Sequence, residues 1–359
     1  MGRHHRPEDP GHSPAFRDRS ALRTMALALA GLTLFVVAMV ASYAGAFANP
    51  VLHHMSVAVS APESLVDGLR AEPGLQITPV ADAEVAREQV YQRRVDTAFA
   101  VTPEGDLSIY VAGGGGRSVA AAAERIGRTT AGQAGLPAVV EDVAPTSSAD
   151  PSGTVEFYAV IFISIGASLG AALLGRLMGS VRTPATLALR TASLAGFSAV
   201  LAGVVTLYVG PVLGALTGHP GQVFGVLWLY AMAVGGAVTG VAAAFGAAAS
   251  IVLGLFLVVV GNAAAAGPVG RPLLSGFYST FTTVVPQGSG VSLLRSVSYF
   301  GGNGAQAPLL TLAAWAGAGC LLAVVATAAR VNYRARYDLW SQCGGQRGLL
   351  RSRLLPSSN

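Results

Sequence analysis

Between Thr191 and Gly270 the chain carries no Asp, Glu, Lys or Arg, and its one ionisable imidazole there is His219. A helix in a soluble core is rarely apolar for more than about 14 residues, whereas a bilayer crossing needs roughly 20. The run is long enough for several crossings. In hydrocarbon every backbone N–H and C=O must be paired inside the protein, so these crossings are helices packed on helices. Composition agrees, with 11% charged and 52% hydrophobic residues where soluble domains carry about 25% charged. The sequence therefore predicts a polytopic α-helical membrane protein.

Charge placement sets the expected topology. Arg3, Arg6, Arg17, Arg19 and Arg23 lie in a polar, Pro-broken stretch, residues 1–24, read as a disordered cytoplasmic tail. Met25–Phe47 is the first apolar run. Ala46-Phe47-Ala48 resembles a cleavage site, but signal-peptide cores are only about 7–15 residues, so an uncleaved span is favoured. Further spans are expected at about Val155–Gly175, Thr191–Leu216, Val223–Ala243, Ala248–Ala266 and Pro308–Ala329, which makes six transmembrane helices. The break between the fourth and fifth rests on parity, because 223–266 is apolar throughout. With six, both tails and the Arg176–Arg190 loop share one side and hold 14 Arg against four acids, Glu8, Asp9, Asp18 and Asp338. The other side holds nine Arg against 14 acids. Arg enrichment marks short cytoplasmic loops, so a multi-pass cell-membrane protein with both termini cytoplasmic is expected. The sequence pI near 9.5 reflects topology and gives no reason to expect nucleic acid. All 23 basic residues are Arg, which with the Ala and Gly bias suggests a GC-rich bacterial genome. Cys320 sits in an apolar run and Cys343 in the Arg-rich tail (331–359), so no disulfide framework is available.

Residues 48–153 are a different material. Strands are expected at Met55–Ser60, Leu75–Val80, Thr97–Val101 and Leu107–Val111, and helices near Pro62–Ala71, from Asp82 to about Arg94, and from Arg117. Asp82 suits an N-cap, and Val119, Ala122 and Ile126 share one helical face. This is a small extracytoplasmic α/β domain inserted between the first and second spans. The five-helix membrane domain then occupies 154–330.

Few stretches offer chemistry. Arg271–Asn303 is too polar to span yet rich in apolar residues, and Pro286-Gln287-Gly288-Ser289-Gly290 splits it into two amphipathic halves. Two readings stay open: a broken re-entrant pair whose backbone is buried by protein, or an interfacial loop with Tyr278, Phe281, Tyr299 and Phe300 at headgroup level. In the Arg176–Arg190 loop, Thr183-Pro184 suits the start of a short helix along the membrane. Its arginines alone read as topology-setting contacts to anionic lipid. Small-xxx-small pairs, Gly166/Gly170, Gly175/Gly179, Gly214/Gly218 and Gly236/Gly240, allow close helix packing. Asn262, Thr239, Ser164 and Ser168 are candidates for interhelical hydrogen bonds. Glu156, at a span mouth, reads as an interfacial carboxylate rather than a coupling acid. His53, His54 and His219 have no partners at metal-ligand spacing. Gly113–Gly116 lacks the Lys-Ser/Thr of a phosphate-binding loop and reads as a turn. No catalytic constellation is present in the sequence.

The whole layout, one span, an α/β insertion and five more spans, resembles the type-2 ABC exporter permeases, in the branch related to the phage infection protein (Pip) family. Met55–Ser60 followed by a helix and then Arg94-Val95-Asp96-Thr97-Ala98-Phe99-Ala100-Val101 is similar to the family's helix-then-strand segment after the first span. Arg176–Arg190 is placed like its coupling helix. Pro286-Gln287-Gly288 with Arg295 and Tyr299-Phe300 resembles its pattern in the extracellular re-entrant helices. Residues 1–24 lack the family's amphipathic interface helix. The resemblance implies a permease subunit in the lipid bilayer, paired as a homodimer or as a heterodimer with a similar permease. It also implies a separate ABC ATPase, which engages Arg176, Arg182, Pro184 and Arg190 and binds the ATP, leaving no cofactor in this chain. Pro286, Gln287, Gly288, Arg295, Tyr299 and Phe300 would then form an outer gate for an amphipathic or lipid-like substrate. The alternative is a non-transporting Pip-like scaffold whose outer domain binds a secretion, cell-wall or phage partner.

Overall fold

The computed structural model describes residues 19–179 and 183–353, with side chains between 20 and 333. Among these residues five helices are long and apolar enough to cross a membrane: Ser20–Phe47, Val155–Met178, Pro184–Val212, Pro220–Phe245 and Gln306–Tyr333. The chain is a polytopic helical membrane protein by that measure, with a small α/β sheet set between the first two crossings.

Helix α1 (Arg19–Phe47) starts inside the stretch expected to be tail, because no Pro follows Pro14 before the apolar run. Nearly all its apolar side chains are exposed. It holds the rest of the chain near its C-terminal end, where Ser42 Oγ donates to the Val259 carbonyl at 2.9 Å and Ala46 and Phe47 pack beside Leu274.

The sheet domain runs β1 (Met55–Ser60), α2 (Glu63–Ala71), β2 (Leu75–Pro79), α3 (Ala83–Tyr91), β3 (Thr97–Val101), β4 (Leu107–Val111), α4 (Arg117–Ala134) and β5 (Ala138–Asp142). Strand order is β2-β1-β3-β4-β5. β1 is parallel to β2 and β3, β4 turns back antiparallel to β3, and β5 is parallel to β4. Parallel pairs need helical crossovers, supplied by α2, α3 and α4. Asp82 caps α3 by accepting from the Val85 N–H at 2.8 Å, and Gly135, at φ 69°, ends α4 in the left-handed region. Side chains alternate along each strand. Val57, Val59, Leu107 and Ile109 face α2 and α4, while Ala58, Ala98, Ala100 and Tyr110 face α3 and, from the membrane domain, Phe300.

The membrane domain comprises α5 (Val155–Met178), α6 (Pro184–Leu207, prolonged by a π turn, Tyr208–Val212), α7 (Pro220–Phe245), α8 (Ala247–Phe256, prolonged by a π turn, Leu257–Gly261), α9 (Gly276–Thr282), α10 (Pro286–Tyr299) and α11 (Gln306–Arg353). α7 is its axis, with Leu227, Tyr230, Ala231, Ala233 and Val234 fully buried. Two of the four small-residue pairs lie at helix contacts. Cβ atoms at Gly166 and Gly170 would meet Leu201 and Phe197 of α6, and one at Gly240 would meet the Gly319 carbonyl of α11. In turn a Cβ at Gly319 would lie 2.5 Å from the backbone of Gly236. The α7–α11 crossing is therefore backbone on backbone.

Two expectations change here. α8 ends at Phe256, and even with its π turn and the two helical residues after it, 247–263, the stretch spans only about 25 Å at 1.5 Å per residue, short of a bilayer core of about 30 Å. The chain after it leaves helical geometry, with Ala266 at φ 54°. The described parts of the Arg176–Arg190 segment are also mostly helical. Arg176 is in the last turn of α5, Thr183 caps α6, Pro184 is its first residue, and the helix runs on through Arg190 as one rod. Thr183-Pro184 does start a helix, but the apolar face that follows continues straight into the bundle.

Enlarging Gly240 to Leu should lower stability by about 1–3 kcal/mol through overpacking. Gly254→Ala, at a helical site with open space around it, should be neutral or raise stability by up to about 1 kcal/mol. Thermal unfolding of the two purified variants in detergent compares them directly.

Candidate functional site

α10 joins the two parts of the molecule, and its sequence explains how it fits. Pro286 occupies the first helical position, where a missing N–H is harmless. A Cβ on Gly288 would strike the Thr282 carbonyl, and one on Gly290 would lie 3.0 Å from Tyr230 and 3.2 Å from Val160. Only residues without a Cβ let the helix reach this depth. The Pro-Gln-Gly-Ser-Gly run is a packing requirement.

Its polar side chains then pair backbone that has left helical geometry. Gln287 Nε2 donates to the Leu257 carbonyl in the π turn at 2.8 Å and to Ser164 Oγ at 3.0 Å. Arg295, only 4% exposed, gives one terminal nitrogen to the carbonyls of Gly115 and Ala266, both at 3.1 Å, and the other to Gly267 at 3.1 Å and Gly153 at 3.4 Å. One guanidinium thus ties the Gly113–Gly116 turn of the sheet domain, the start of α5 and the irregular chain after α8. Glu156 and Asp150 act on it electrostatically. Asp150 Oδ2 also accepts from the N–H groups of Thr154 and Val155 at 2.8 Å, which holds the start of α5.

At the far end of α10, Phe300 is buried in the sheet domain's core beside Tyr110, Ala112 and Ala144. Arg93, just after α3 with φ 58°, lies over the Phe300 ring at 5.0 Å. It donates to the Ser292 carbonyl at 2.8 Å and to the hydroxyls of Ser292 and Ser296. Burial, and then the neighbouring charge of Arg295, push the Arg93 guanidinium down to about 10, against the pull of Asp96. A cavity of about 390 Å³ remains between the two parts, lined by Arg93, Asp96, Arg271, Ser289, Ser292 and Arg295 among others.

The structure thus gathers the expected gate residues on α10 and its C-terminal cap, with Pro286, Gln287, Gly288, Arg295 and Phe300 buried and Tyr299 half-buried. The interfacial-loop reading fails at Phe300, which meets protein, not headgroups. Glu156 is fully buried, not interfacial. Of the proposed interhelical donors, Ser164 is engaged, while Asn262 and Ser168 have no hydrogen-bond partner among the described residues. Of the arginines expected to form one coupling patch, the two that are described point to different surroundings. Arg176 is exposed, Arg182 lies outside the described residues, and Arg190, 5% exposed, turns inward to the Gly179 carbonyl at 3.3 Å. There it passes Gly175, where a Cβ would lie 2.5 Å from its guanidinium. Arg93 was missed because an arginine at the end of a short helix carries no local signal; its partners are about 200 residues away. Comparison with family models, curated proteins and solved structures finds no match.

Replacing Arg295 by Met should cost about 3–5 kcal/mol, since it leaves four carbonyls without their donor. Adding Glu156→Gln should recover part of that loss if the two charges balance each other. A thermodynamic cycle over the two single variants and the double variant measures the coupling, and strict additivity would show that they do not interact.

Proposed function

We propose that this chain is the membrane permease subunit of an ABC-type exporter, moving an amphipathic or lipid-like substrate outward under the drive of a separate ATPase. In this reading α8 with the buried chain that follows it makes the sixth crossing, both termini are cytoplasmic, the sheet domain is outside, and two permease chains pair through their spans.

The observation that carries the proposal is α10, buried among α5, α7 and α11 yet fastened to the sheet domain by Arg93, Arg295 and Phe300. A helix held at both ends transmits a rearrangement of the crossings to the sheet domain, as an outer gate requires. An amphipathic cargo suits crossings whose buried charged residues among those described, Glu156 and Arg190, lie in the first two turns of their helices. The ATPase contact then falls near exposed Arg176 at the end of α5, because Arg190 is committed to the helix interior.

A second reading, a scaffold whose sheet domain holds a partner protein, has one observation in its favour. A groove of about 450 Å³ between α2 and α4, bounded by Pro62, Leu65, Leu69, Thr130 and Gln133, lies on the sheet face opposite Phe300.

Affinity purification in mild detergent with mass spectrometry separates these readings. Recovery of an ABC ATPase, falling about fivefold for Arg176→Glu as the loss of about 1 kcal/mol of contact would give, is the expected result. Arg190→Ala should unfold more easily than the native chain and serves as the stability control. Recovery of extracytoplasmic proteins alone, unchanged by Arg176→Glu and lost on Gln133→Arg in the groove, would overturn the permease reading.

A further inference from the structure

The cavity beside α10 has an unbalanced lining. Its charged residues are Arg93, Arg271 and Arg295 against one acid, Asp96. Asp96 is already engaged, its Oδ2 accepting from the Ser56 N–H at 2.8 Å and from Ser56 Oγ at 2.7 Å. Arg295 and Arg93 spend donors on carbonyls and serines and form no ion pair among the described residues, so Glu156 and Asp150 offset Arg295, and Asp96 offsets Arg93, only across a distance. Arg271 differs. Its one side-chain hydrogen bond among the described residues runs from Nε to the Ser279 carbonyl at 3.4 Å, so the end of its fork is available at the cavity's edge.

The first turn of α10 opens into the same space. Gly288 and Ser289 line it, and no side chain caps the helix. A helix start presents free N–H groups and about half a positive charge. The Ser289 hydroxyl has no hydrogen-bond partner among the described residues, although the residue is buried. Free N–H groups, a hydroxyl and a guanidinium are the donor set that recognises phosphate oxygens. The volume of about 390 Å³ falls within the usual range for ligand sites, about 300–1,000 Å³.

The way in lies between α9 and α11. Of the lining residues, Arg271, Thr283, Gly304 and Ala307 are exposed. Beside them Phe277, Val284, Leu309 and Leu310 expose apolar side chains. α11 begins at Gln306, so this rim lies where the last crossing leaves the membrane on the sheet-domain side.

We propose that this cavity binds a phosphate-bearing anion, contacted by Arg271, Ser289 and the first turn of α10, in the positive field of Arg93 and Arg295. Two sources share that chemistry: the headgroup of an acidic phospholipid in the adjoining leaflet, whose chains would lie on the apolar rim, and free phosphate. Burial and Arg295 already push the Arg93 guanidinium down to about 10, and an anion in the void offsets both effects. The inference depends on the cavity and not on transport, so it stands or falls apart from the permease reading.

The test uses the full-length protein, delipidated in detergent, and native mass spectrometry. Phosphatidylglycerol should be retained at one molecule per chain and about tenfold more tightly than phosphatidylcholine, with that preference lost in Arg271→Gln and in Thr283→Glu, which puts a negative charge at the exposed rim. Unchanged thermal unfolding of the lipid-free variants would separate loss of binding from loss of fold. Inorganic phosphate in excess, against chloride at equal ionic strength, distinguishes the sources. Displacement of the lipid together with thermal stabilisation by phosphate identifies the free anion, whereas lipid retention without either identifies the headgroup. Equal retention of both lipids, with no effect of either substitution and no response to phosphate, overturns the proposal.

Discussion

Backbone that has left regular geometry away from water must still find hydrogen-bond partners, and the centre of this molecule is built around that demand. The π turn at Leu257–Gly261 and the irregular chain after it release carbonyls that an unbroken α8 would have satisfied. Gln287 takes Leu257, Ser42 of α1 takes Val259, and Arg295 takes Ala266 and Gly267. Each otherwise unpaired buried group would cost about 1–3 kcal/mol. An intact α8 would not need these side chains, and without them the broken one would not persist.

The same pairing makes the sheet domain and the membrane domain one structure. Arg295 also reaches Gly115 and Gly153, so the guanidinium that repairs the break in α8 also anchors the sheet domain. A planar fork with several donors fits four carbonyls in a way that the single ammonium of a lysine would not. The charge must itself be balanced, and the buried Glu156 does part of this. Phe300 adds an apolar contact on the sheet and Arg93 covers it, so α10 is fixed by hydrogen bonds along its length and by packing at its end. Glycines set the depth at which this works. Gly288 and Gly290 bring α10 against α9 and α7, and Gly267 brings the irregular chain against Phe157.

Much of the fold was legible in the sequence where local periodicity and chain punctuation carry it. β1, β3 and β4 fall where alternating apolar residues place them, Asp82 caps α3, and α4 begins at Arg117. β5 was missed because Ala138–Asp142 is a short edge strand, half-exposed and ending in two acids, Glu141 and Asp142. The 176–190 segment was misread because its three arginines resemble a surface loop; Arg190 is buried only because Gly175 leaves room beside it. For 271–303 two readings were open, since amphipathic halves with aromatic residues suit an interface as well as a buried hairpin. The partners that decide, Thr282, Tyr230, Ala266 and Gly267, cannot be assigned from spacing.

The sequence by itself determined that the chain lives in a membrane, that its long apolar segments are helices, and that a small α/β unit interrupts them after the first. Those properties follow from what each segment must do with its own backbone and its own apolar surface. Tertiary structure alone decided that α8 stops short, that α10 lies buried beneath the sheet domain, and that Arg93, Arg271 and Arg295 line one cavity. The reason is range. A helix or strand is encoded within about ten neighbouring residues, whereas a buried guanidinium is placed by carbonyls from three separate parts of the chain, which meet only once the helices have packed.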